Sequence, residues 1–365
     1  MSDRSGPGGA AGAVHARPGW WARPQPWRRG GLAAAAVVLV AFPLVVTAPT
    51  ITTIAVYCVM YMAIATSWNA FCGYSGYVSL GHAVFFGAGA YTIALVAAHL
   101  NLGGGWPLFA LVPAGGLVAG VVALPIGYVA LRTRRHTFVV ITIAVFFICQ
   151  LLAFNLGVTE GSAGVVLPSG QFSAAAYDNP FYYVSLGIFA FTLLLSLGIR
   201  RSRFGLQLFA IRDDEERARS LGVKVVRVKL SAFAISAVPV GMVGAVWAFF
   251  VGQVFPQFAF NPSFDITVAL MAFIGGLGTV AGPVLGALVL EALQRYLIIS
   301  LSIQNLYLVI YGLLFLAVIV LLPDGVLPSV ARVWRSRRFA PAVPLAAGEP
   351  DGSAARGPAD GARPA

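Results

Sequence analysis

Apolar runs close to 20 residues long follow one another along the chain, separated by short polar or glycine-rich breaks. A helix needs about 20 such residues to cross the ~30 Å hydrocarbon layer of a bilayer. Ten spans are predicted, at 32–48, 50–70, 80–98, 108–130, 137–156, 181–199, 229–251, 264–279, 281–299 and 304–322. The Gly275-Gly276-Leu277-Gly278 break reads as either a turn or a kink. The fold class expected is all-α: a polytopic integral membrane protein with about ten transmembrane helices.

Composition agrees, with 59% hydrophobic and 10% charged residues and a mean hydropathy of +0.84. Soluble domains carry about 25% charged residues, so an ordinary soluble enzyme, a disordered protein and a nucleic-acid-binding domain are all excluded. Cys58, Cys72 and Cys149 lie in or beside apolar runs with no paired spacing, and read as small buried hydrophobes, not as a metal site.

The net charge of +11 acquires meaning from its placement. All but Arg295 of the 24 basic residues fall in the N-terminal tail, at Arg132, Arg134 and Arg135, in the 200–229 loop, or after the last span. The loops 99–107, 157–180 and 253–263 hold no Lys or Arg. Basic residues mark cytoplasmic loops, so both termini and the 200–229 loop are expected inside. Two inside termini require an even number of spans, which divides 264–299 in two. The layout expected is a cytoplasmic tail over 1–30, a transmembrane domain over 31–328 whose cytoplasmic loop is 200–228, and a largely disordered cytoplasmic tail over 329–365. No small-residue cleavage site follows the first apolar run, so no removable signal peptide is expected. The N-terminal tail places Trp20, Trp21 and Trp27 beside Arg23, Arg28 and Arg29, as a membrane-surface anchor does.

Charges inside a bilayer are costly and usually functional. Few are predicted here. Glu291 and Arg295 stand four apart and can pair, as a structural contact or as part of a pathway. Asp265 falls at an outer boundary. His82 is either a hydrogen-bonded helix contact or a substrate ligand, and His136 is interfacial. With no Lys or carboxylate expected at mid-membrane, an ion-coupled carrier lacks its relay. The two lysines, Lys224 and Lys229, sit in no phosphate-binding glycine loop, so the chain carries no ATPase of its own. No cofactor and no metal site are expected.

Small residues four apart allow helix backbones to approach closely: Gly116 and Gly120; Gly278, Gly282 and Gly286; Ala237, Gly241 and Ala245. The glycine-rich breaks at 73–81 and 275–278 interrupt apolar runs. Irregular backbone at membrane depth is tolerated where protein or a water-filled cavity surrounds it, so these breaks are pathway candidates.

The 200–229 loop carries Asp213, Asp214, Glu215 and Glu216 ahead of Arg217, Arg219 and Lys224, an order that suits a helix dipole. Leu208, Ile211 and Leu221 supply an apolar side, and Gly222 a helix stop. It reads as a solvated loop or as a coupling helix that docks on a motor protein. Glu216-x-Ala218-x-x-x-Gly222 resembles the Glu-Ala-Ala-x-x-x-Gly core of ABC importer permeases, with Arg217 in place of the middle alanine.

The resemblance extends further. The run Gly76 to Tyr91, Thr159-Glu160-Gly161-Ser162-Ala163-Gly164, Ser202-Arg203-Phe204-Gly205, Ala210-Ile211-Arg212-Asp213-Asp214-Glu215, Lys229-Leu230-Ser231-Ala232-Phe233, Gly275-Gly276-Leu277-Gly278-Thr279 and Leu322-Pro323-Asp324-Gly325-Val326-Leu327 stand in order. Together they resemble branched-chain amino acid ABC transporter permeases, in particular the second of the two permease subunits. Arg134-Arg135-His136-Thr137-Phe138 departs from the family's usual Arg-Gly-x-Tyr-Phe.

The resemblance implies a multi-pass subunit of a bacterial inner membrane importer. It implies a homologous companion permease, two cytoplasmic ABC ATPases, an extracytoplasmic substrate-binding protein and membrane lipid as partners, and no nucleic acid. It places motor contact on Arg212, Asp213, Asp214, Glu215, Glu216, Ala218 and Gly222. The translocation path is expected at Ser79, Gly81, His82, Phe85, Thr159 and Gly161. Urea or short amides are an alternative cargo within the same family. A motor-independent carrier or channel is the alternative class.

Overall fold

The computed structural model describes residues 26–301 except 47, 101, 169–171 and 173–176, together with 309, 312, 313 and 316. Its elements are nearly all helical: α1 (Pro26–Val45), α2 (Pro49–Ser75), α3 (His82–His99), α4 (Trp106–Ala110), α5 (Val112–Ala130), α6 (Arg135–Asn155), α7 (Asp178–Arg201), α8 (Arg203–Asp213), α9 (Glu215–Ser220), α10 (Val225–Val251), α11 (Pro256–Ala259), α12 (Pro262–Gly275) and α13 (Ala281–Leu301). Two-residue strands, β1 (Val165–Val166) and β2 (Gln253–Val254), pair antiparallel.

Eight helical segments among the described residues are long and apolar enough to cross a membrane. They correspond to the second through ninth expected spans. The first expected span falls on α1, and nearly all of the tenth, with both tails and their tryptophan anchor, lies outside the described residues. Boundaries move in instructive ways. α2 runs to Ser75, where Gly76 adopts φ +73° and donates its N–H to the Cys72 carbonyl, a left-handed stop that glycine takes without Cβ strain. α10 begins at Val225, four residues before the expected limit, and this draws Lys229 into the helix. The span expected at 264–279 ends at Gly275, and the glycine break is a turn, not a kink. Gly278 lies in that turn, so the helical part of its expected ladder is Gly282 and Gly286 alone.

α2 and α10 form the centre. α10 packs mainly on α5 and α3, and α2 on α7 and α13. The small-residue pattern explains how closely they meet. A Cβ added at Gly89 of α3 would stand 1.9 Å from the Gly241 carbonyl oxygen of α10, and one at Gly244 would stand 2.0 Å from that of Phe86. Gly241 in turn faces Ala119 and Gly116 of α5. Lipid offers no hydrophobic drive for helix association, so such backbone proximity supplies the van der Waals contact instead. α5, α6 and α7 turn Leu117, Val121, Val140, Leu151 and Leu194 outward, as lipid-facing helices do.

Candidate functional site

The two glycine-rich breaks meet. Asn69 of α2 brackets the second one, accepting from Gly278 N at 2.7 Å on Oδ1 and donating Nδ2–H to the Thr279 carbonyl at 2.8 Å. Thr279 Oγ1 accepts from Gly282 N at 3.0 Å, opening α13. The first break, 76–81, is held as tightly. Trp68 Nε1 donates to the Ser79 carbonyl at 2.9 Å, Ser79 N donates to Cys72 Sγ at 3.3 Å, and Leu80 N donates to Thr142 Oγ1 at 3.2 Å. Irregular backbone survives here because protein groups satisfy it.

The break leads into α3, whose first N–H groups point into the protein. Asp265 receives them: Oδ1 accepts from His82 N at 2.9 Å, and both oxygens accept from Ala83 N at 3.3 Å. A carboxylate at a helix N-terminus is favoured by the helix dipole. This corrects the expectation that Asp265 needs no special explanation. It is buried, and at 1.5 Å per residue it lies about 15 Å along α12 from the Gly275 end. Helix polarity was invisible to the charge count, which treated the acid as alone.

The His82 ring is enclosed. Nδ1 lies 3.0 Å from Ser79 Oγ and Nε2 3.2 Å from Ser236 Oγ, while Phe71, Phe85 and Phe233 surround it. Both nitrogens have partners, as a neutral imidazole requires. His82→Gln keeps a donor and an acceptor and is expected to retain most transport at every pH between 5.5 and 8. His82→Leu strands two buried hydroxyl contacts and is expected to cost ~1–3 kcal/mol. Initial uptake rates and thermal unfolding compare them. A Gln variant as inactive as Leu would reinstate a proton-relay role.

On the other side of the breaks lies the charged segment. It folds as two helices, not one, because Asp214 leaves helical geometry and caps α9, its side chain accepting from Glu216 N and Arg217 N. Leu208 and Ile211 are buried as expected, but Leu221 is 83% exposed. Gly222 stops α9 at φ +85° with no heavy atom near a Cβ position. The inner side of α9 belongs to Glu215 and Ala218. Glu215 Oε1 pairs with Lys229 Nζ at 3.1 Å, and its Oε2 accepts from the Tyr77 hydroxyl. Lys229 also donates to that hydroxyl at 3.0 Å. Burial pushes the Glu215 carboxyl up, but the Tyr77 hydrogen bond, Lys229 and Arg219 outweigh it and hold the pKa below the ordinary range. The outer side, with Glu216, Arg217, Arg219, Leu221 and Gly222, is exposed.

Arg212 joins this segment to the breaks. Its Nη1 donates to the Gly73 carbonyl at 2.7 Å. A Cβ at Gly278 would stand 2.4 Å from that same nitrogen, and one at Gly76 would stand 3.0 Å from Arg212 Cγ. The side chain threads between two glycines. Arg200 Nη1 donates to the Gly278 carbonyl at 3.1 Å. Arg135 grips α8 from a third direction, Nη2 donating to the Ile211 and Arg212 carbonyls at 3.0 and 2.5 Å. The departure Arg134-Arg135-His136 thus holds a residue that ties α6 to α8.

A cavity of about 480 Å³ opens where α2, α10, α12 and α13 diverge, away from these breaks. Tyr57, Tyr61, Phe86, Trp247, Phe264, Thr267 and Arg295 line it, with Gln253, Phe255 and Phe258 from the 252–261 connection. None of the residues singled out for a pathway lines it. Ser79, Gly81, His82 and Phe85 cluster at the first break and the start of α3. Thr159 and Gly161 cap the end of α6, Thr159 Oγ1 donating to the Ala153 and Leu156 carbonyls at 2.5 and 2.7 Å. The cavity residues were missed because aromatic residues in apolar runs look like core. Arg295, the one basic residue that topology left over, was the available signal. It pairs with Glu291 at 2.7 Å, as spacing predicted.

The described residues thus form a helical membrane bundle with an aromatic-lined cavity and an exposed charged helix pair braced on the glycine breaks. A family model described as branched-chain amino acid transport system / permease component matches residues 50–319. The chain belongs to that family, and is a multi-pass membrane permease component of an ABC importer that performs no chemistry of its own. It is 29% identical over 324 residues to the high-affinity branched-chain amino acid transport system permease protein LivM of Escherichia coli, covering 81% of this chain and 74% of that protein. It is 28% identical over 290 residues to LivH of Salmonella typhimurium, covering 75% and 93%. The xylose transport system permease protein XylH of Escherichia coli is 32% identical over 124 residues, covering 32% of each chain. No solved structure matches.

Proposed function

We propose that this protein is one of two homologous permeases of a bacterial importer for branched-chain, hydrophobic amino acids, driven by two cytoplasmic ATPases and fed by an extracytoplasmic binding protein. Both termini and α8–α9 lie inside, and the permease domain occupies 31–328. The observation that carries the reading is the brace at Arg212. It ties an exposed helix pair, shaped to meet a motor, to the ends of α2, α12 and α13, whose other halves wall the cavity. Motor closure displaces α9, the brace passes the displacement to the glycine breaks, and the cavity changes the side it opens to.

The names of the LivM and LivH relatives support the cargo, and a wall of Tyr, Phe and Trp suits an apolar side chain better than urea. The XylH relative marks the wider solute range of this architecture. Asp265 does not revive a proton-driven carrier, because both its oxygens hold helix N–H groups. One experiment tests motor contact and sidedness together. Leu221→Cys in a background without the three native cysteines is expected to cross-link to the copurified ATPase, and to be labelled by an impermeant reagent only in inverted vesicles. Labelling from the outside would overturn the orientation, and copurification of the permease with no ATPase would overturn the motor.

A further inference from the structure

We infer that Arg295 is the point at which the carboxylate of the transported amino acid is held during passage, with its side chain laid against Phe86, Trp247 and Phe264. The inference rests on the amino-acid reading above and assigns a residue-level site to it. Among the described residues, Arg295 is the only charged side chain lining the cavity. It is 22% exposed, whereas its partner Glu291 is fully buried behind it. The cation therefore faces the cavity and the anion does not.

The guanidinium is fixed in place before any ligand arrives. Nε donates to Glu291 Oε1 at 2.7 Å, and the Tyr57 ring lies under the guanidinium carbon at 3.5 Å, a cation–π contact that orients its plane. A guanidinium has five N–H donors in a planar fork; Nε goes to Glu291 and Tyr57 takes a further hydrogen bond from the group, which leaves donors for a ligand. The fork matches a carboxylate in two-toothed geometry. A zwitterion needs more than one anchor, and Asn261, Ser263 and Thr267 supply uncharged polar groups on the same wall. At about 480 Å³ the cavity falls within the range of small-molecule sites. A single cation that is part-neutralised from behind suits a transporter, which must release what it binds. It also discriminates by chemistry: urea and neutral amides lack the anion that the fork reads.

The test uses the full transporter in proteoliposomes, with both permeases, the ATPases and the binding protein, and radiolabelled leucine as the probe. Two rates are read together: leucine uptake and binding-protein-stimulated ATP hydrolysis. The double variant Glu291→Gln/Arg295→Gln removes both charges without stranding a buried carboxylate. It is expected to lose about tenfold in uptake, the scale of a charge-assisted bidentate contact, while hydrolysis stays near the parent rate. Arg295→Lys keeps the charge and loses the fork, so severalfold less uptake at parent hydrolysis is expected. Uptake at the parent rate in either variant overturns the inference. So does an equal fall of uptake and hydrolysis, which marks a structural pair. If the double variant is not recovered from the membrane, Arg295→Lys decides alone. A parent transporter that hydrolyses ATP but takes up no leucine breaks the amino-acid reading itself, a distinct result.

Discussion

Arg212→Met is expected to leave ATP hydrolysis running and to cut uptake by about tenfold or more, because a motor whose displacement is not passed on still turns over. Methionine keeps the unbranched stem and removes the guanidinium. The Gly73 carbonyl then loses the donor that stood 2.7 Å away, and a buried acceptor left unpaired costs ~1–3 kcal/mol. The larger effect is mechanical. Arg212 occupies the gap between Gly76 and Gly278, where the glycines leave room for its stem and head. Without it α8–α9 keep the Arg135 contacts to α6 and the Glu215 contacts to Lys229 of α10 and to Tyr77, but lose their hold on the Gly73 end of α2 and on the Gly278 turn. Arg212→Lys, with charge but a single donor point, is expected to fall between. The measurement is the number of substrate molecules moved per ATP in proteoliposomes. A parent-like ratio for Met would sink the brace, and an equal loss of both activities would place Arg212 in folding instead.

Gly89→Val is expected to remove nearly all folded protein from the membrane. The Cβ it adds would sit 1.9 Å from the Gly241 carbonyl oxygen, which belongs to backbone and cannot rotate aside. α3 and α10 must then part by more than 1 Å, and the contact with α5 through Gly241 opens with them. Overpacking inside a filled interior costs ~1–3 kcal/mol where side chains can adjust, and here only whole helices can. Gly187→Val on α7 is the matched control, since nothing lies within 4 Å of its Cβ position. Monodisperse protein recovered in mild detergent, and its melting temperature, separate the two. Equal recovery would mean that the α3–α10 approach is not a determinant of the fold.

Much of this architecture was legible because bilayer thickness writes itself into sequence as run length. The spans second to ninth, the Gly116–Gly120 pair on α5, the Ala237–Gly241–Ala245 ladder on α10, the Glu291–Arg295 pair and the stop at Gly222 all follow from local spacing. What escaped depends on partners far along the chain. Lys229 looked like a loop cation because its partners Tyr77 and Glu215 are contributed by other elements. Asp265 looked like an end-of-span acid because the helix start it caps is 183 residues away in sequence. The charged segment α8–α9 was legible in composition but not in its break, since Asp214 counts equally well as a helix-start acid and as a cap. Leu221 was assigned to the inner side by apolarity alone, and its exposure puts it where a motor subunit would cover it.

The same long separations constrain how the protein is made. Asn69 and Thr279 are 210 residues apart, and the ends of the Asp265–His82 bond nearly as far. While the ribosome is still adding the middle of the chain, the first N–H groups of α3 have no Asp265 to receive them. Those groups must remain near water or inside the insertion machinery until α12 is delivered. Final seating of the first half of the bundle is therefore a late event in biosynthesis, and the early helices wait for the last third of the chain before they can be released into lipid.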